Sequence, residues 1–123
     1  MSKNKILIIY VFLTVATFLA FWQVTDSDFI ALDDGTYVTD NGHVRDGLTL
    51  EGIAWAFTTG HAPYWHPLTW ISHMLDVQLF GLNPHGHHLV NLLFHLATTA
   101  LLFLVLHRMT KALWQSAFVA ALF

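Results

Sequence analysis

The stretch ILIIYVFLTVATFLAFW at residues 6–22 decides the fold, because it carries no charge and is just long enough to cross a bilayer. A cleaved signal peptide is the alternative interpretation. The apolar core of a signal peptide, however, covers only about 7–15 residues and is followed by a cleavage site of small residues. In this chain the apolar run is longer, and Phe21, Trp22 and Gln23 occupy the place of such a site. The sequence therefore predicts an uncleaved transmembrane helix over residues 6–24.

Two more apolar runs follow, at residues 88–106 and from Leu113 to Phe123. They predict a second transmembrane helix over 87–107, a turn at 108–112 and the start of a third helix at 113–123. The composition agrees, since 55% of the residues are hydrophobic and 11% are charged, against about a quarter charged in soluble domains. We expect an all-α membrane protein that is the N-terminal fragment of a longer one.

The charged residues are segregated along the chain. Lys3 and Lys5 precede the first apolar run, and Arg108 and Lys111 follow the second. By the positive-inside rule, residues 1–5 and 108–112 are cytoplasmic and the loop 25–86 lies outside, in the periplasm of a bacterium with this protein in its inner membrane. No basic patch is present, which argues against nucleic-acid binding. The loop contains all eight acids, Asp26, Asp28, Asp33, Asp34, Asp40, Asp46, Glu51 and Asp76.

The loop carries signals for two helices. Thr49 fits an N-cap, which predicts a helix over 49–59, and Pro67 with Gly81 fits the start and the stop of a helix over 67–80. Residues 36–39, between two turn dipeptides, are expected to be extended. The 67–80 helix is expected to lie in the membrane interface; packing on a soluble part of the loop is the alternative. Its apolar stripe is Leu68, Ile71, Leu75 and Leu79, and its polar stripe is Thr69, Ser72, His73 and Asp76.

Polar residues follow one face of the second apolar run. Because polar groups in lipid usually face other helices, Asn91, Thr98 and Thr99 are expected to make interhelical hydrogen bonds. His88 lies near the outer end of the run, where it is placed to reach a substrate.

Two groups of residues suggest chemistry. The Asp33-Asp34 pair fits a general base at the membrane surface, but the residues alone favour a solvated acidic turn, since Gly35 follows. The His85-x-His87-His88 tract resembles a metal-binding sequence, yet its spacing matches no closed site, so we predict no metal site and no cofactor. The chain also lacks cysteine, a P-loop, G-x-S-x-G and H-E-x-x-H.

Several segments together carry a family resemblance: FIALDDGTYVTDNGHV at 29–44, GLT at 47–49, GIAWAFT at 52–58, WHPLTWISHMLD at 65–76, QLFGLNP at 78–84 and GHHL at 86–89, with Asn91 and His95. They resemble the first outer loop of bacterial membrane proteins in which a glycosyltransferase-like part precedes tetratricopeptide repeats. That family is similar to the eukaryotic transmembrane, repeat-containing O-mannosyltransferases. The chain departs from the pattern at Ala31-Leu32, where a polar residue and an aromatic are expected, and at Gly42, where proline is frequent.

The resemblance implies the N-terminal part of a GT-C fold, with two complete transmembrane helices, the start of a third and a catalytic outer loop. It implies transfer of a sugar from a polyprenyl-phosphate carrier to a hydroxyl acceptor, as in protein O-glycosylation, with Asp33 or Asp34 as the base. Without the remaining helices and repeats we expect the fragment to be inactive alone. Candidates for contacts to the donor phosphate or sugar are Arg45, His66, His73, Asp76 and His88.

Two functions from other classes stay open. A non-catalytic membrane scaffold or assembly protein would not bind a lipid-linked sugar. A metal-binding or transport component would be recognised by metal titration.

Reporter fusions after Lys5, Asp46 and Lys111 in a bacterial inner membrane test the topology. We expect the Asp46 fusion to report the periplasm and the other two the cytoplasm, because the basic residues flank the spans on one side. A cytoplasmic Asp46 would separate the loop from the compartment where lipid-linked sugars are used, and would contradict the transferase interpretation.

Overall fold

The computed structural model describes residues 3–30, 32–61 and 64–123, and within these ranges the chain contains helices and turns but no strand, as predicted. Ala31, one of the departures from the family pattern, lies outside the described residues. A 3-10 turn, Trp22–Asp26, extends the first helix, and a π-helical turn, Gly35–Thr39, precedes the second. The helices are α1 (Lys3–Phe21), α2 (Gly42–Arg45), α3 (Leu50–Thr58), α4 (Pro67–Phe80), α5 (Pro84–Thr110) and α6 (Leu113–Ala121).

Two helical segments, Lys3–Asp26 and Pro84–Thr110, are long and apolar enough to cross a membrane, which confirms that prediction. Their most apolar windows have mean hydropathies of 2.1 and 2.2, and only 11% and 17% of those windows are buried. The core helices of soluble proteins are mostly buried, so these apolar surfaces suit lipid instead. Helix α5 begins before the expected residue 87 because the Asn83 side chain caps it, accepting a hydrogen bond from the His85 N–H.

The chain forms two compact units, one of Met1–Val24 with Asn91–Phe123 and one of Thr25–Val90. In the first unit, the edge of the Tyr10 ring contacts Phe103, with 5.0 Å between ring centroids. Helix α5 ends where Lys111 adopts a left-handed φ of 60°, so the chain can turn into α6. The residues buried together in this unit are Ile9, Leu13, Phe103, Leu113 and Ala120.

Two threonines of α5 that were predicted to bond other helices bond their own helix instead. Thr98 donates its hydroxyl to the Phe94 carbonyl at 2.7 Å, and Thr99 donates to the His95 carbonyl at 2.9 Å. A threonine hydroxyl reaches the carbonyl one turn back, which satisfies it without a partner helix. Within the described residues both hydroxyls therefore donate to their own helix, and Asn91 is exposed, so bonds to further helices stay a prediction.

The second unit, Thr25–Val90, is called the loop unit below. Its core consists of Val44 from α2, Ala56 from α3, and Trp70 and Met74 from α4, all of them buried. Burial of large apolar side chains is the main source of stability for such a small unit, at about 1.5–3 kcal/mol for each one fully buried.

The ends of the loop helices follow from the sequence signals. Thr49 caps α3 by accepting a hydrogen bond from the Gly52 N–H at 2.9 Å. Pro67 occupies the first turn of α4, where its missing N–H leaves no bond unmade. Gly81 ends the helix with a φ of 62°, which residues with a side chain rarely adopt. Both predicted loop helices are therefore present.

The predicted extended segment at residues 36–39 is wrong, because these residues lie in the π-helical turn Gly35–Thr39. The Asp40 N–H donates to the Gly35 carbonyl at 2.8 Å, and the Asn41 side chain donates to the Thr36 carbonyl at 3.4 Å. The helical turn buries Val38 and half-buries Tyr37. Tertiary burial outweighs the strand preference of β-branched and aromatic residues here.

Helix α4 is amphipathic, but its inner face differs from the expected one. It buries Trp70, Met74 and the polar Asp76, while Leu68 and Leu79 are 75% and 63% exposed. The large rings and the thioether fill the core, which leaves the leucine stripe on the outer surface. An exposed apolar stripe is the feature that an interfacial helix needs.

Gly52 lets α3 approach α4, which gives a stability prediction for the loop unit. A Cβ at this position would lie 3.2 Å from Met74 Sδ and 3.0 Å from Thr49 Oγ1. We expect Gly52→Leu to lower the free energy of unfolding of the loop unit by about 1–3 kcal/mol through overpacking, measured by tryptophan fluorescence in denaturant. Gly42→Leu is the control, since nothing lies within 4 Å of a Cβ there. Equal stability of the two variants would contradict the close packing.

Candidate functional site

Three titratable side chains meet in the loop unit where α4 faces the first turns of α5. His73 Nδ1 lies 3.7 Å from Asp76 Oδ2 on the same helix, and His87 Nδ1 lies 3.8 Å from the same oxygen. One ligand atom from each residue lies within 4.8 Å of the other two. Asp76 and His87 are each only 3% exposed, and His73 is half-buried. These three residues are called the His73 cluster.

The hydrogen bonding of His87 fixes which of its nitrogens carries the proton. His87 Nε2 lies 3.0 Å from the Gly81 carbonyl oxygen, which can only accept, so Nε2–H is the donor. In the neutral ring Nδ1 then holds a lone pair, and that lone pair faces the Asp76 carboxyl group. Neither His87 Nδ1 nor His73 Nδ1 has a hydrogen-bond partner among the described residues, although both atoms are buried.

The electrostatics of the cluster follow from this burial. Burial lowers the pKa of His73, the His87 imidazole lowers it further, and the Asp34 carboxylate raises it. Burial raises the pKa of Asp76, and His87 acts in the opposite direction. The fold thus favours the neutral imidazole of His73 and the neutral carboxyl group of Asp76, which lie next to each other. Neighbouring groups with shifted pKa values are typical of functional sites and also occur in structural networks.

The two adjacent aspartates have different surroundings. Asp34 is half-buried, its Oδ2 accepts a hydrogen bond from the Ile30 N–H at 2.8 Å, and its charge acts on His73. Asp33 is exposed. The sequence alone cannot distinguish the surroundings of Asp33 from those of Asp34. Which of the two side chains points inward depends on the π-helical turn that begins at Gly35.

Three rings stack beside His73, whose ring lies 6.3 Å from that of Tyr37 between centroids. Tyr37 lies parallel to Trp70, with 4.9 Å between centroids and 19° between planes, and to His66, at 5.4 Å and 18°. His66 also stacks on Trp70 at 5.0 Å. Trp70 is buried, whereas Tyr37 and His66 are half-buried. Such a stack presents both an apolar ring surface and a polar edge.

The remaining candidates, Arg45 and His88, are not members of the cluster. Arg45 is exposed on α2 and forms no ion pair within the described ranges, and His88 lies beside Phe29, with 6.2 Å between centroids. The histidine tract does not form one site, because His85 donates Nδ1–H to the Thr25 carbonyl while His87 faces Asp76. The structure therefore brings together Asp34, His66, His73 and Asp76 of the predicted residues, and adds Tyr37 and His87.

Comparison with known proteins gives no significant match to a family model, to a curated protein or to a solved structure.

The raised pKa of Asp76 gives a pH prediction for the metal-free protein. The stability that a carboxyl with a raised pKa contributes is complete below its unfolded pKa and is lost as pH rises through the folded pKa. Asp76→Asn removes this loss, and its amide can donate to the facing Nδ1 atoms. We therefore expect Asp76→Asn to raise the free energy of unfolding at about pH 8, where a histidine with a lowered pKa is neutral whether folded or unfolded.

The measurement is denaturant unfolding of the loop unit with a chelator present, repeated toward acid pH. The advantage of Asp76→Asn should shrink as pH falls, since the wild-type carboxyl then becomes neutral as well. Asp28→Asn, an exposed carboxyl of the same unit, should change nothing. A less stable Asp76→Asn at about pH 8 would show that the charged carboxylate is stabilised where it is buried.

Proposed function

We propose that this chain is the N-terminal segment of a GT-C membrane glycosyltransferase that moves a sugar from a polyprenyl-phosphate carrier to a hydroxyl acceptor. The family resemblance of the loop supports the reaction class. The observation that carries the proposal is that Asp34 acts electrostatically on His73 within the compact loop unit, where His73 also lies against Tyr37 of the Tyr37–His66–Trp70 stack.

Asp34 has the environment that a general base needs. One carboxylate oxygen is held by the Ile30 N–H, which orients the side chain and leaves the other oxygen to accept a proton. In the proposed step, that oxygen takes the proton of the acceptor hydroxyl as the hydroxyl oxygen attacks the anomeric carbon. The bond from this carbon to the carrier phosphate breaks, and the phosphate leaves on its lipid with the bonding electrons.

The neighbouring residues have roles in binding the donor. The half-buried rings of Tyr37 and His66 offer an apolar surface to the C–H face of a sugar. His66 and His73 provide imidazole nitrogens for sugar hydroxyls or phosphate oxygens. Asp76 is buried beside His73 and is assigned no direct contact with the donor, while Arg45 and His88 would meet the donor at the edges of the unit.

The proposed setting is a bacterial inner membrane with the N-terminus in the cytoplasm. The loop unit then faces the periplasm, and the leucine stripe of α4 lies against the lipid surface where a polyprenyl carrier presents its head group. The acceptor is a hydroxyl group, for which a protein side chain is the proposed source.

Single substitutions test the assignment of the base in a longer protein that contains this segment. We expect Asp34→Asn to lower sugar transfer by about 10²–10⁴-fold, the usual contribution of a general base, and the double variant Asp33→Asn/Asp34→Asn to abolish it. Asp33→Asn is the matched control and should retain most of the activity. The assay is transfer of radiolabelled sugar from the lipid carrier, with membrane insertion checked in parallel.

Two outcomes contradict parts of this proposal. Full activity in Asp34→Asn would remove the proposed base. Failure of the wild-type protein to bind a polyprenyl-phosphate sugar would remove the transferase assignment and leave the non-catalytic scaffold.

A further inference from the structure

We propose that His73, Asp76 and His87 form a binding site for a divalent transition-metal ion of the zinc class. The inference comes from the geometry of the His73 cluster and does not depend on the proposed transferase function. The sequence pointed to metal binding only through the His85-x-His87-His88 tract. It did not group His87 with His73 and Asp76, because the turn between α4 and α5 separates them along the chain.

The first observation is that the cluster is polar and buried but not hydrogen-bonded within itself. The distances of 3.7 and 3.8 Å from Asp76 Oδ2 to the two Nδ1 atoms are too long for hydrogen bonds. Both Nδ1 atoms are buried without a partner in the described part of the chain. Unpaired buried polar groups are destabilising, and a cation between two lone pairs and a carboxylate would satisfy all three groups together.

The second observation is the outer partner of His87. Metal-binding histidines usually donate their second ring N–H to a carbonyl or a carboxylate, which fixes the ring and its tautomer. His87 makes this bond to the Gly81 carbonyl at 3.0 Å, and it aims Nδ1 into the cluster. The arrangement is therefore set up for coordination before any ion binds.

The spacing of the three atoms also fits an ion. Zinc binds imidazole nitrogen and carboxylate oxygen at about 2.0–2.2 Å, so tetrahedral ligand atoms lie about 3.4 Å apart. The nearest pairs here are 3.7 and 3.8 Å apart, and all three atoms lie within 4.8 Å.

The donor set indicates the class of ion. Two imidazoles and one carboxylate suit first-row transition ions, whereas Ca²⁺ and Mg²⁺ prefer oxygen ligands alone. Three protein ligands leave a fourth position for water or for a group of a bound substrate. Because His87 lies in the first turns of α5 and the other two ligands lie on α4, the ion would also tie these two helices together within the loop unit.

The test is calorimetric titration of Zn²⁺ into the complete chain in lipid nanodiscs, purified without a histidine tag and stripped with a chelator. We expect one ion per chain to bind in the micromolar range or more tightly. Asp76→Asn should weaken binding by on the order of 100-fold, since loss of an outer partner alone costs about 10–100-fold. His61→Gln removes an exposed histidine of the same unit and should leave binding unchanged.

A second measurement keeps the test valid if a variant binds poorly because it is unfolded. Co²⁺ added to the wild-type chain should give the intense visible absorption of a tetrahedral site, and Asp76→Asn should lose it while tryptophan fluorescence reports an intact loop unit. Absence of binding in the wild type would overturn the site. So would equal affinity of wild type and Asp76→Asn, or equal losses in Asp76→Asn and His61→Gln. These outcomes are independent of sugar transfer, so the metal site and the proposed function can fail separately.

Discussion

Packing of α4 against α2 and α3 is the interaction on which the rest of the loop unit depends. Trp70 and Met74 occupy the core beside Val44 and Ala56, and Gly52 allows the close approach of the helices. The same helix carries His73 and Asp76 on the side that faces the start of α5. The apolar contacts that stabilise the unit therefore also hold its polar cluster in place, so stability and site geometry depend on one helix.

The polar cluster is unfavourable as a purely structural element. A buried carboxyl and two imidazoles lose hydration without gaining hydrogen bonds to one another. An apolar core of the same volume would be more stable, which is why such clusters usually mark a function. His73 takes part in both the metal site and the transferase site. Its Nδ1 faces Asp76, and the Asp34 carboxylate raises its pKa. An ion here would also add positive charge to a loop whose only lysine or arginine is Arg45.

Local sequence signals predicted most of the helices. The Thr49 cap, the Pro67 start and the Gly81 stop are short-range effects, and the structure contains each of them. Apolar runs likewise predicted the two long helices. The signals failed where distant residues decide the outcome, as for the turn at 36–39, which is helical because Tyr37 packs on Trp70.

The site was predictable only in part for the same reason. The family resemblance pointed to Asp34, His66, His73 and Asp76, and these residues lie together in the loop unit. His87 was missed as a site residue, because its place opposite Asp76 depends on the angle at which the chain leaves α4. The sequence also did not predict which face of α4 is buried. Periodicity treats leucine, tryptophan and methionine alike as apolar, so it cannot decide which of them face the core.

The electrostatic interaction of the Asp34 carboxylate with His73 is the central claim, and histidine NMR of the complete chain in nanodiscs tests it most directly. We expect His73 to titrate below the ordinary histidine pKa, and its pKa to fall further in Asp34→Asn, because the carboxylate that raises it is then gone. Asp33→Asn should leave this pKa unchanged. A His73 that titrates at the ordinary value and responds to neither substitution would show that the loop does not bring these two residues together.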